Sequence, residues 1–143
     1  MSKSTEYAIR SLVFIRLRNL EIKRPGVAEI AREIEAPVAY SAKILHTLTK
    51  HGLLQSMKGR GGGFFFDEDR PALTLYEVVR VMEGDARFHD CAFGLKYCNE
   101  ENPCPLHEHY ASLRDGFFDM TKTETIDSLS RKILDGSAVL NHL

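Results

Sequence analysis

The residues of this chain best equipped for chemistry are three cysteines within fourteen positions, Cys91, Cys98 and Cys104, followed at once by Pro105, Leu106 and His107. Thiolates and imidazole are the ligand set of zinc and of iron–sulfur clusters. A structural zinc site usually carries one tight Cys-x2–4-Cys knuckle, which aims two sulfurs at a single ion. The gaps of six and five residues here contain none, and they suit a larger inorganic core approached from several directions. His107 lies three residues after Cys104, so the start of a helix can present both on one side. Cys104-Pro105 has the Cys-Pro form that ends many cluster-binding runs. Glu6 is a further oxygen donor, which the partner chain of a dimer would bring to the loop. A single cysteine is commonly a small buried hydrophobe, but three in one polar, aperiodic loop point to shared ligation. No base and nucleophile are set together, so the expectation is a binding protein and not an enzyme.

A second chemistry is electrostatic. The net charge of −1 hides an asymmetry: residues 1–70 carry 12 Lys/Arg against 8 Asp/Glu, whereas residues 71–143 carry 7 against 12. Residues 36–66 hold Lys43, Lys50, Lys58 and Arg60 and no acidic residue, a local footprint that suits a polyanion. Lys58 and Arg60 sit in Lys58-Gly59-Arg60-Gly61-Gly62-Gly63, between two short β-capable segments. That pattern is a hairpin with a basic tip.

The elements that must carry these residues are mostly helical. Ser4 to about Leu20 has no Pro or Gly and a broad apolar stripe, which predicts a helix buried on more than one side. Pro25-Gly26 punctuates the chain, and Val27, Ile30, Ala31 and Ile34 follow at helical spacing. From Val38 to His51 a third helix buries Ile44, Leu45 and Leu48 and is expected to turn Ser41, Lys43, Thr47 and Lys50 outward. Thr74-Leu75-Tyr76-Glu77 is a capping box that opens another helix, and Gly84 can end it. Leu106, Tyr110, Leu113, Phe117 and Met120 recur at intervals of four and three, the seam of a helix that packs on another helix. Ile126, Leu129 and Ile133 suggest a short last helix, after which the tail frays.

Two short helices and a basic-tipped hairpin make a winged helix-turn-helix, whose second helix fits the major groove of DNA. The fold expected is mainly α, with a two-stranded wing and a long C-terminal dimerisation helix. Its divisions are 1–84 (DNA-binding domain), 85–105 (cysteine loop) and 106–143 (dimerisation helix and tail). Tyr40, Ser41 and Lys43 are the candidate base or phosphate contacts, although Tyr40 is equally suited to packing. Lys58 and Arg60 would clamp phosphates or enter the minor groove. With 43% hydrophobic and 27% charged residues, no run of about 18 apolar residues and no signal-peptide pattern, a cytoplasmic protein is expected.

Several of these segments together resemble the Rrf2 family of bacterial transcription regulators. They are Ser2 to Arg10, Tyr40 to Leu45 with Leu48 and Gly52-Leu53, Ser56 to Phe64, and the three cysteines with His107. The resemblance implies a homodimer on palindromic promoter DNA with one iron–sulfur cluster per protomer. IscR-like members imply a 2Fe–2S cluster held by Cys91, Cys98, Cys104 and His107. NsrR-like members imply a 4Fe–4S cluster completed by Glu6 of the partner chain. Cluster-free members make a zinc- or thiol-based redox switch the alternative.

Overall fold

The computed structural model describes residues 1–140 and is built from seven helices and one hairpin among them. Helix α1 (Lys3–Leu20) starts where the Ser2 hydroxyl accepts the Thr5 amide at 3.2 Å. It is the central element, with Ala8, Leu12, Val13, Phe14 and Ile15 all buried. The chain then reverses through Ile22, whose φ of 61° is left-handed, and Pro25-Gly26 leads into α2 (Val27–Glu33). A second tight turn, with Glu35 at φ 57°, delivers Pro37 as the residue that opens α3 (Val38–Lys50).

Ile30 and Ile34 from the α2 segment meet Ile44, Leu45 and Leu48 of α3 in one core with α1. Leu45 and Leu48 are fully buried, and truncating such a residue typically costs about 2–5 kcal/mol. The inward face of α3 is therefore committed to folding, and recognition is left to its outer residues.

Strands β1 (Gln55–Met57) and β2 (Gly63–Phe65) pair antiparallel with Ser56 opposite Phe64. The expected hairpin is present. Asn19, in the last turn of α1, holds it: its Oδ1 accepts the Phe66 amide at 2.9 Å and its Nδ2 donates to the Phe64 carbonyl at 3.2 Å. Gly63 runs so close to the Arg24 carbonyl that a Cβ would overlap it, and the Phe64 amide donates to the Pro25 carbonyl at 2.9 Å.

Helix α4 (Leu75–Glu83) carries the capping box, with Thr74 and Glu77 satisfying each other's backbone amides, and Gly84 ends it. Helix α6 (His107–Thr123) is the long helix, and α7 (Ile126–Leu134) turns back onto α1. An antiparallel bridge between Thr74 and Thr125 ties the starts of α4 and α7 together. Arg16 of α1 meets Asp127 at 2.9 Å, and Ile126 joins the main core. Residues 126–134 thus pack with the first half of the chain, although the sequence division at 106 grouped them with α6. The last three positions of that C-terminal region lie outside the described residues.

One helix was missed. Within the stretch read as aperiodic, α5 (Ala86–His89) forms a single turn. Its Phe88 is buried, with ring centroids 5.1 Å from both Tyr76 and Phe118 and 6.0 Å from Phe117. This second aromatic core joins α4, α5 and α6. Phe117 therefore faces inward, whereas Leu106, Leu113 and Met120 of the same heptad row remain exposed. No described helix is long and apolar enough to cross a membrane.

Candidate metal centre and nucleic-acid interface

The segment after α5 is exposed from Ala92 to Tyr97, where Phe93, Leu95 and Tyr97 face outward, and from Asn99 to Pro103, which is polar. Only the cysteines turn inward, each half-buried. Their three sulfurs lie within 4.8 Å of one another. Cys91 and Cys104 are in contact, Sγ to Sγ, at 3.5 Å. The Cys98 sulfur accepts the Cys104 amide at 3.3 Å and lies 3.4 Å from His107 Nδ1. That imidazole comes from the first residue of α6: the His107 amide donates to the Cys104 carbonyl at 3.0 Å, which turns the chain from Cys104 into the helix, and the ring meets Cys98, where the spacing had suggested Cys104.

Two local forces hold the loop in place. The Phe88 cluster seats α5 between α4 and α6. Arg114 of α6 then donates from Nη1 to the carbonyls of His89 at 3.2 Å and Asp90 at 3.3 Å, the two residues before Cys91. Its Nε is buried without a hydrogen bond, and the nearest carboxylate oxygen, on Asp115, is 3.8 Å away. Neither Phe88 nor Arg114 was singled out from the sequence. Phe88 interrupts no periodic pattern, and Arg114 sits between heptad positions, so only packing reveals them.

The thiols are electrostatically unequal. The Leu95 amide, opposed by partial desolvation and helped by the Phe93 amide and both neighbouring thiols, brings the Cys91 thiol down to about 7. For Cys98 the Cys104 amide favours the thiolate. Desolvation, the hydrogen bonds of the other two cysteines and the charge of Cys104 outweigh that and push its thiol up. Metal ligation requires deprotonated sulfur, so Cys91 is a readier donor than Cys98. Three thiols converging within a few ångströms, with an imidazole against one of them, fit the chemistry of a zinc ion or an iron–sulfur core. Glu6 stands apart from this group within the protomer, its carboxylate 3.4 Å from Lys3 Nζ.

The basic face divides differently from expectation. Lys43, Lys58 and Arg60 are exposed, and among the described residues none of them forms an ion pair. Ser41 is corrected: it is fully buried, and its hydroxyl donates to the Pro37 carbonyl at 2.9 Å. At the fourth position of α3 it lies on the same side as Leu45 and Leu48, so its role is to tighten the first turn. Tyr40 is half-buried. Its hydroxyl shares a 2.5 Å hydrogen bond with Ser4, and its ring meets Tyr7 edge-on at 5.6 Å, so it braces α3 against α1. The exposed start of α3 is Val38 and Ala39.

Arg24 is an addition. Its guanidinium stacks 3.9 Å above the Phe65 ring and reaches Met57 Sδ at 3.4 Å, which places a third cation at the base of the wing. Its position beside Pro25-Gly26 gave no hint of this, because the contact depends on β2 passing alongside.

The Rrf2 family, described as an iron-dependent transcriptional regulator, matches residues 1–132. The HTH-type transcriptional repressor NsrR of Streptomyces coelicolor is 28% identical over 106 residues, covering 74% of this chain and 67% of that protein. Among solved structures, CymR, the global cysteine regulator of B. subtilis, matches with a TM-score of 0.73 at 18% identity, covering 92% of this chain and 95% of that one. IscR of T. potens also matches with a TM-score of 0.73, at 14% identity, covering 97% and 91%. The mainly helical fold with a two-stranded wing, expected from the sequence, is the fold of these winged-helix regulators.

Proposed function

Because this chain belongs to the Rrf2 family, whose members are transcription regulators and not enzymes, we propose that it binds promoter DNA with an affinity set by an iron–sulfur cluster at Cys91, Cys98 and Cys104. The convergence of three sulfurs within 4.8 Å carries this reading. His107 is the proposed fourth ligand, since its Nδ1 already touches the Cys98 sulfur; the partner subunit's Glu6 is the alternative. A 2Fe–2S cluster suits the histidine, and a 4Fe–4S cluster suits the carboxylate. When bound, the cluster supplies a redox- and ligand-sensitive centre whose loss frees the thiolates.

The protein is read as a homodimer. The exposed row Leu106, Leu113 and Met120 is the apolar strip a partner copy of α6 would cover. Two copies would then set α3 into successive major grooves, with Lys43 on phosphate or a guanine edge. Lys58, Arg60 and the added Arg24 would follow the flanking backbone. Tyr40 and Ser41 serve this interface by fixing the pose of α3.

Coupling follows from the chain's connections. The loop begins at α5, which is clamped to α6 by Arg114 and joined through Phe88 to α4. The Glu83 carboxylate at the end of α4 accepts the Ser2 amide at 3.1 Å, and α1 supports both α3 and the wing. Any rearrangement of the loop is thereby passed to the reading surface. A coupling of about 1–3 kcal/mol would change operator occupancy roughly 5–150-fold.

The test is anaerobic purification with iron, sulfide and zinc analysis and a visible spectrum. It is paired with affinity for a duplex selected from a random library, measured with the centre loaded and stripped. Iron and sulfide in the protein together with a shifted affinity support the reading; equal affinities overturn the sensing role. A colourless protein with stoichiometric zinc, or with no metal, selects the zinc- or thiol-based switch. The 3.5 Å contact between Cys91 and Cys104 favours the thiol form of that second reading.

A further inference from the structure

Beyond ligation, the three sulfurs differ in their immediate partners. Cys98 is engaged on two sides, by the Cys104 amide at 3.3 Å and by His107 Nδ1 at 3.4 Å. Both partners belong to the segment that starts α6, so this sulfur is tied to a helix end. Cys98 also lies within 4.8 Å of both other sulfurs, but the direct contact, at 3.5 Å, is between Cys91 and Cys104. To bond, their sulfurs need to approach by only about 1.5 Å, since a disulfide measures about 2.05 Å. The chain between them can absorb that movement. Apart from Cys98, every side chain from Ala92 to Pro103 is exposed, and Gly94 turns at φ 70°. No core residue has to move with the loop.

We propose that Cys91 and Cys104 form a dithiol–disulfide pair in the metal-free protein, closed by a low-molecular-weight disulfide and leaving Cys98 as a free thiol beside His107. This rests on the reading of the loop as the sensing site and names a second, covalent state for it. In the first step one of the two thiolates attacks a sulfur of the small disulfide. That forms a mixed disulfide and releases one small thiolate. The other protein thiolate then attacks the protein sulfur of the mixed disulfide and expels the second small thiolate. The protein pair is oxidised by two electrons and the small disulfide is reduced to two thiols, which take up the two protons lost from Cys91 and Cys104. Two of the three sulfur ligands are then occupied by each other. The metal centre cannot be refilled until a reductant reopens the pair, so an emptied protein is locked in its stripped state.

The experiment uses the full-length protein, stripped of metal under anaerobic conditions and incubated with oxidised glutathione. Free thiols are blocked with N-ethylmaleimide before non-reducing peptide mapping. The expected map links the Cys91 and Cys104 peptides and finds Cys98 alkylated. C98S retains the crosslink, whereas C91S and C104S give glutathione adducts in its place; circular dichroism checks that each variant is folded. The treated wild-type protein takes up no iron and sulfide until dithiothreitol is added. A crosslink that includes Cys98, or three alkylated thiols after treatment, overturns the proposal. Metal content of an untreated sample separates the two readings. A crosslink in a protein that never acquires metal supports the pair and removes the cluster. A metal-binding protein without the crosslink retains the cluster and removes the pair.

Discussion

Replacing Arg114 with Met removes the clamp on the residues that precede Cys91 and leaves most of the packing volume in place. Arg114 Nη1 donates to two carbonyls, of His89 and Asp90, at 3.2 and 3.3 Å. Hydrogen bonds from a charged donor are worth about 1.5–3 kcal/mol each at full strength. Here both share one nitrogen, the side chain is 18% exposed, and the variant also removes an Nε that is buried without a hydrogen bond. We therefore assign about 2 kcal/mol to the pair together, or about 30-fold in the local opening of the segment. The Phe88 cluster is untouched, so the thermal midpoint should fall by at most about 5–10 °C, the shift that about 2 kcal/mol gives a domain of this size. The assay is metal release to excess chelator, followed by absorbance. R114M should release about 30-fold faster than the parent, and R114K should fall between them because an ammonium lacks the planar fork. Equal release rates for R114M and the parent would refute the idea that α6 positions the first cysteine.

Further outcomes are expected elsewhere. R60A should weaken DNA binding on every duplex tested and reduce the slope of log affinity against log salt by about one, because a phosphate contact releases about one counterion; an unchanged slope with loss at one sequence only would assign Arg60 to a base. I22G should stabilise the fold by about 1 kcal/mol in denaturant titration, since Ile22 holds a left-handed φ of 61° while 95% exposed and glycine removes that strain at no cost in buried area. The Glu124 carboxyl is held below the usual glutamate range by hydrogen bonds from Lys132, at 2.6 Å, and Ser128. Its folded pKa is lower than its unfolded one, so its contribution is complete above the unfolded value and disappears as pH falls through the folded one. E124Q should accordingly be less stable than the parent at neutral pH, with the gap closing in acid denaturation as pH falls below the ordinary carboxylate range.

The local rules were sufficient for much of this protein. The spacing of Ile44, Leu45 and Leu48, the Thr74–Glu77 box and the glycines after Lys58 predicted α3, α4 and the wing, because helix periodicity, capping and left-handed turns are decided within a few residues of chain. The spacing of Cys91, Cys98 and Cys104 likewise marked a ligand loop, since few other uses explain three thiols in one short aperiodic stretch. Tertiary structure decided what depends on neighbours distant in sequence. It buried Ser41 on the same side as Leu45, set Tyr40 against Ser4 and Tyr7, and returned α7 to α1 through Arg16 and Ile126. It also brought Arg114 to the carbonyls before Cys91 and Cys91 to Cys104. A side chain's type and period state which groups are available; which of them meet is fixed by how the helices pack, because hydrogen bonds and thiol contacts act over about 3–4 Å while the sequence separations they close run to tens of residues.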